Sequence, residues 1–134
     1  MAGNFALDIS RFINHTNSNV DLVTKKIVLD VTRSVIRKSP VDTGRFKGNW
    51  QYGTGEMPTG TTDIHDESGQ GTIAHIVGQV PQQAAGKLHF IVNNLPYSIA
   101  LERGHSSQAP QGMVGLTITE YQALVQQAVT EVNQ

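Results

Sequence analysis

Residues 19–45 read NVDLVTKKIVLDVTRSVIRKSPVDTGR, and this stretch decides the fold. Val20, Val23, Ile27, Val31 and Val35 step by three and four, the spacing that places side chains on one face of an α-helix. Leu22, Leu29 and Ile36 add a second apolar row at a spacing of seven. Two rows make a wide buried arc rather than a narrow stripe. At 1.5 Å per residue, the run from Val20 to Lys38 is about 28 Å long, enough to cross a small domain. Asn19 suits the N-cap and Asp21 the first turn. Arg33, Arg37 and Lys38 lie toward the C-terminal end, where cations favour the helix dipole. Pro40 ends the helix, because it pushes Ser39 out of the helical region. Residues 40–45 then read as a turn. Pro40 fixes one dihedral, Asp42 can bond its own backbone, and Gly44 can take a positive φ.

Working outward, Phe5, Ile9, Phe12 and Ile13 recur at helical spacing and predict a short amphipathic helix over 4–14. His15 to Asn19 break it with turn-forming residues. After the turn, Phe46, Gly48, Trp50 and Tyr52 share one parity, which predicts a strand over 45–53. Residues 53–71 hold five glycines and four threonines and almost no large apolar side chain. A loop of that length in a compact domain is expected to be flexible or ordered by a partner. Ile73, Ile76, Val77 and Val80 fit a short helix within 68–83, capped by Ser68 and closed near Pro81; Gly71, Thr72 and Val80 also suit a strand. Residues 87–93 read as a strand ended by Asn93 and Asn94. Residues 96–104 read as a short helix, with Pro96 at its first position and Gly104 just past its end. A second loop covers 105–115. Thr117 and Glu120 have the spacing of a capping box, and Ile118, Tyr121, Val125, Ala128 and Val132 predict a helix over 118–132. This order predicts one α+β domain spanning 1–134. A small antiparallel or mixed sheet packs against the long helix of the N-terminal half and the C-terminal helix.

Composition narrows the function classes. Charged residues are 16% of the 134-residue chain, below the about 25% usual for soluble proteins. The surface is therefore nearly neutral. A net charge of −1 argues against a nucleic-acid binder held by bulk charge. The absence of cysteine removes disulfides, thiolate metal sites and a cysteine nucleophile. No apolar run approaches membrane-spanning length. The opening residues Met1–Phe5 lack the basic patch and apolar stretch of a signal peptide, which predicts synthesis and assembly in the cytoplasm.

Each chemical candidate has a plainer reading beside it. Asp63, His65, Asp66 and Glu67 carry oxygen and nitrogen ligands, but no second His lies at helical spacing; a solvated acidic loop is the plainer reading. His105 with Ser106 or Ser107 superficially matches a hydrolase elbow. The glycine that motif needs two residues after Ser106 is Gln108. Arg33, Arg37, Lys38, Arg45 and Lys47 form a basic edge opposed by Asp42 alone, while Glu56, Asp63, Asp66 and Glu67 form an acidic stretch. In a ring, the acidic face of one subunit can meet the basic face of the next. The basic edge can also face DNA, in which case binding weakens steeply with salt. The uncharged stretch from Ser106 through Gln108, Pro110 and Met113 to Val114 suits docking onto another protein. Trp50, Phe46 and Tyr97 are large enough to anchor the core or an interface. Glu102 is expected to pair with Arg45 or Arg103.

Three blocks carry a resemblance. They are Ser39-Pro40-Val41-Asp42-Thr43-Gly44-Arg45-Phe46 with Trp50; Val92-Asn93-Asn94-Leu95-Pro96-Tyr97-Ser98 with Leu101-Glu102-Arg103-Gly104-His105-Ser106; and Gln108-Ala109-Pro110-Gln111-Gly112-Met113-Val114. In this order they resemble the neck or tail-completion proteins of tailed bacteriophages, over about residues 20–130. The resemblance implies a structural virion protein at the head–tail junction, made in the host cytoplasm. It completes the upper end of the tail so that head and tail join. It implies no enzyme, cofactor or metal, no small-molecule substrate and no membrane. Its partners would be further copies in a ring, six from the symmetry of phage tails in general, and neighbouring neck or tail proteins. DNA would pass through the lumen without sequence-specific contact. A tail terminator or a head-closure ring component is the alternative within the same class. The roles expected here are Asp42, Gly44, Trp50 and Tyr97 for turn and core. The interface candidates are Arg33, Arg37, Lys38, Arg45, Lys47, Asp63, Asp66, Glu67, Gln108, Pro110 and Met113.

Overall fold

The two-row pattern of residues 20–36 does form a helix. In the structure, a computed structural model that describes residues 17–133, α1 runs Asn17–Arg37. It starts two residues before Asn19, so Asn19 lies in the first turn rather than at the cap. The helix expected over 4–14 lies outside the described residues. Val20, Val23, Ile27, Val28, Val35 and Ile36 are buried, whereas Leu22 is 52% exposed. The first apolar row is therefore covered, and the N-terminal end of the second is not. Ser39 closes the helix as Pro40 requires: its hydroxyl donates to the Val35 carbonyl at 2.6 Å.

Residues 45–49 correct the sequence reading. The expected strand over 45–53 is a single helical turn, α2 (Arg45–Gly48), followed by strand β1 (Trp50–Thr54). The alternation of Phe46, Gly48, Trp50 and Tyr52 is coincidental in its first half. Gly44 takes φ 84°, and the Gly48 N–H donates back to the Gly44 carbonyl at 3.0 Å. The Asn49 side chain donates to the Arg45 carbonyl at 2.8 Å, which stops the turn. Phe46 reaches the core from this turn, 6% exposed, and stands edge-on to Trp50 with ring centroids 6.0 Å apart.

The remaining elements are α3 (Gln70–Gln79), β2 (His89–Asn93), α4 (Ser98–Glu102) and α5 (Val114–Val132). The strands β1 and β2 pair antiparallel, with Trp50 opposite Asn93, Tyr52 opposite Ile91 and Thr54 opposite His89. The class is α+β as expected: a two-stranded antiparallel sheet with the long helix and the C-terminal helix packed together. Pro96 precedes α4 instead of opening it. The helix expected over 118–132 begins four residues earlier. Thr117 is therefore inside it, donating to the Met113 carbonyl at 2.8 Å, and Glu120 pairs with Lys38 at 3.0 Å. No Thr117–Glu120 capping box forms.

Two buried clusters share α1. The larger joins Val28, Val35 and Ile36 to Phe46, Trp50, Tyr52, Ile76, Leu95 and Met113. The smaller joins Val23 and Ile27 to Ala128, with Tyr121, Val125 and Val132 around them. α5 runs antiparallel along α1. Its start is bound near the end of α1 by Ser34 and Thr117 hydroxyls 2.8 Å apart. Its end is bound near the beginning by Lys26 and Glu131 at 3.3 Å.

Candidate functional site

The turn after α1 and the segment before α5, more than fifty residues apart in sequence, meet in space. Gln108 grips the backbone of Val41: its Oε1 accepts the Val41 N–H at 2.8 Å, and its Nε2 donates to the Val41 carbonyl at 2.9 Å. Trp50 Nε1–H donates to Ser39 Oγ at 2.8 Å, tying the strand to the end of α1. The Asn93 side chain donates to the Phe46 carbonyl at 2.9 Å, tying β2 to α2. Tyr97, 42% exposed, lies with its ring centroid 6.0 Å from that of Phe46. The residues that carry the resemblance thus build one framework.

Two carboxylates organise helix starts. Glu102 does not pair with Arg45 or Arg103. Its Oε1 accepts the N–H groups of Met113 (2.9 Å) and Val114 (2.8 Å), and its Oε2 accepts that of Gly115 (2.8 Å). These are orphan donors of the first turn of α5, where a negative charge also suits the helix dipole. Gly112 must be glycine here, since an added Cβ would lie 2.3 Å from the Glu102 carbonyl oxygen, at φ +81°. Asp66 does the same for α3. It accepts the N–H groups of Gly69 (3.1 Å) and Thr72 (2.7 Å) and the Thr72 hydroxyl (2.8 Å). The expected cap, Ser68, takes only the Gln70 N–H, at 3.2 Å. Partial burial pushes the Glu102 carboxyl up, but the three backbone donors outweigh it and its pKa is lowered. For Asp66, burial again raises, and the Thr72, Gly69 and Ser68 donors outweigh it, so its pKa is lowered. Burial raises the pKa of Tyr121.

The charged residues fall differently in space than along the chain. The acidic stretch folds back over the basic turn. The Asp66 N–H donates to the Gly44 carbonyl at 2.9 Å, His65 Nδ1–H to the Thr43 carbonyl at 3.3 Å, and Arg45 Nη2 lies 3.9 Å from Asp63. Asp63 is fully exposed, so that pair adds little stability. Glu67 and Asp42 are exposed, and the side-chain bond inside the turn comes from Thr43, whose hydroxyl accepts the Arg45 N–H at 3.3 Å. Arg37 is exposed and Arg33 half-buried. Lys38 donates to Ser34 Oγ at 2.6 Å and to Glu120. Lys47 and Met113 are buried, and Pro110 is exposed.

The long loop is held by its own chain. Asn49, fully buried, donates to the Thr62 carbonyl at 3.1 Å and accepts the Thr62 N–H at 2.8 Å. Gln51 reaches the Gly60 carbonyl at 2.9 Å and Asn94 the Pro58 carbonyl at 3.0 Å. Asn49 was not legible as a special residue, because its partner lies 13 positions away. A second network also escaped sequence reading. His89 Nε2–H donates to the Ala84 carbonyl at 2.8 Å, so in the neutral ring Nδ1 accepts the Tyr52 hydroxyl at 2.6 Å. Thr54 donates in turn to the Tyr52 oxygen at 2.8 Å.

At His105 and Ser106, whose match to a hydrolase elbow is superficial, Ser106 Oγ accepts the Gln108 N–H at 3.2 Å, a local turn bond, and among the described residues no bond joins it to the His105 ring. Among the described residues no group of three or more His, Asp or Glu side chains could hold a metal ion, and no helix is long and apolar enough to cross a membrane. The surface is instead marked by large apolar side chains, including Leu22, Val77, Tyr97, Ile99, Val114 and Ile118. A shallow groove of about 210 Å³ lies between Val31, Trp50, Ile91, Val114, Ile118 and Tyr121. No family model matches the chain, and no curated protein and no solved structure matches it.

Proposed function

We propose that this chain is a structural protein of a tailed-phage particle that completes the neck or the upper end of the tail, where head and tail join. The observation that carries this reading is the meeting of the blocks behind the resemblance. The Ser39–Phe46 turn, the Asn93–Gly104 block and the Gln108–Val114 stretch hold one another through the Val41–Gln108 pair, the Phe46–Asn93 bond and the Glu102 cap. Residues that match in order also act together, as they would in a shared architecture. The apolar side chains left on the surface suit a protein that works by contact with others. In this reading copies associate in a ring, with neighbouring neck or tail proteins as further partners. The test is to locate the chain in an electron-microscopy map of intact particles. Density at the head–tail junction is expected, and particles assembled without the protein should accumulate unjoined heads and tails. Its absence from purified particles, or substrate turnover by the isolated protein, would overturn the proposal.

A further inference from the structure

A second groove, of about 470 Å³, opens where α1, α3 and the end of α5 converge. Its apolar wall is made by Leu22 and Leu29 of α1, Val77 and Val80 near the end of α3, and Val132 of α5. Leu22 is 52% and Val77 38% exposed. Leu22 and Leu29 belong to the second apolar row of α1, and neither joins the two buried clusters. The row is covered at its C-terminal end by the core around Ile36 and, among the described residues, left without a neighbour at its N-terminal end, at Leu22 and Leu29.

The chain itself supplies a candidate at the right place. Leu22 stands five residues after Asn17, so residues 1–16 join the molecule at the edge of the groove. In that stretch Phe5, Ile9, Phe12 and Ile13 recur at i, i+4, i+7 and i+8, an apolar face that needs a surface to cover it. Only Asn14, His15 and Thr16 separate that stretch from α1 in sequence, and antiparallel helices are commonly joined by links of that length. Eleven residues in helical form span about 16 Å, against about 10 Å from Leu22 to Leu29. The charges do not oppose it: the stretch carries Asp8 and Arg11, and the groove is lined by Lys25, Lys26 and Glu131.

We infer that the Phe5–Ile13 segment docks into the Leu22–Val77 groove of its own chain, as the first arm of an antiparallel helical hairpin with α1. Because the protein has no cysteine, cross-linking tests this cleanly. Ile9→Cys combined with Val77→Cys in the full chain, under mild oxidation, should give an intrachain disulfide at a rate independent of protein concentration. The pair Ile9→Cys with Ile118→Cys, in the other groove, should cross-link at least tenfold more slowly. Adding Phe12→Asp to the first pair should slow it by a similar factor while circular dichroism reports an unchanged fold. A concentration-dependent interchain disulfide would assign the groove to a second copy and overturn the inference. Equal rates in the two grooves, or no cross-link in a folded Ile9→Cys/Val77→Cys protein, would overturn it too.

Discussion

Glu102 is the residue whose removal is felt furthest from its own position, because three N–H groups of another helix depend on it. Glu102→Gln should destabilise the fold by about 1 kcal/mol, the usual value of a lost cap, measured by urea unfolding. Glu102 and Asp66 also set the response to acid. Both carboxyls have pKa values lowered in the folded state, so the stability they contribute is complete above their unfolded values. It declines as pH falls through the lowered folded values. Unfolding free energy should therefore begin to fall only as pH drops toward the ordinary carboxylate range and keep falling through the lowered folded values, and the Asp66→Asn/Glu102→Gln double variant should show a flatter acid limb. Trp50, 5% exposed, makes a second residue-scale prediction. Trp50→Ala should cost about 3–5 kcal/mol through the cavity left behind. Trp50→Phe, which keeps most of the volume but not the donor to Ser39, should cost about 1 kcal/mol. Thermal melts of the two variants separate packing from hydrogen bonding. Neither carboxylate role was readable in sequence. Glu102 acts on residues 11 to 13 positions away, and Asp66 sits in an acidic run that reads as solvated.

At the level of elements, the helices are legible in the sequence except the single turn α2, which reads as strand. α1 and α5 declare themselves because each repeats an apolar step of three or four over many turns, and no single contact is needed to see it. The single turn Arg45–Gly48 depends on Gly44 at φ 84° and on the Asn49 side chain; the alternation of Phe46, Gly48, Trp50 and Tyr52 outweighed those signals. Gly44 is where this element is most vulnerable. A Cβ there would lie 2.6 Å from the Glu67 nitrogen and 2.7 Å from the Asp66 backbone. Gly44→Ala should destabilise by more than about 1 kcal/mol, since both the left-handed backbone and the close approach oppose a side chain. Gly55→Ala, equally left-handed at φ +80° but with nothing within 4 Å, should cost less. The difference between the two melting temperatures isolates the packing of the acidic loop on the turn.

Across the whole molecule, charges that are segregated along the chain are neighbours in space. The basic residues of 33–47 and the acidic ones of 56–67 looked like opposite faces; Arg45, Asp63 and Asp66 stand on the same side. For the proposed ring, that weakens charge as a source of contact between copies and leaves apolar surface as the stronger one. Ile118, 67% exposed, gives the check. Ile118→Ser should change stability by no more than about 0.5 kcal/mol yet lower the yield of joined particles. A particle yield equal to that of the parent would exclude this face from assembly. The division of the interior into two clusters has a last consequence. Among the described residues the smaller one, around Val23, Ile27 and Ala128, is built from α1 and α5. The distal part of α5 can therefore peel away while the sheet stays intact, a sub-global opening of lower free energy than complete unfolding. Native-state amide exchange should show deuterium entering Val125–Val132 well before Trp50–Tyr52. The last turns of the C-terminal helix would then open and close as a flap, hinged on a first turn that Glu102 and Ser34 hold to the body.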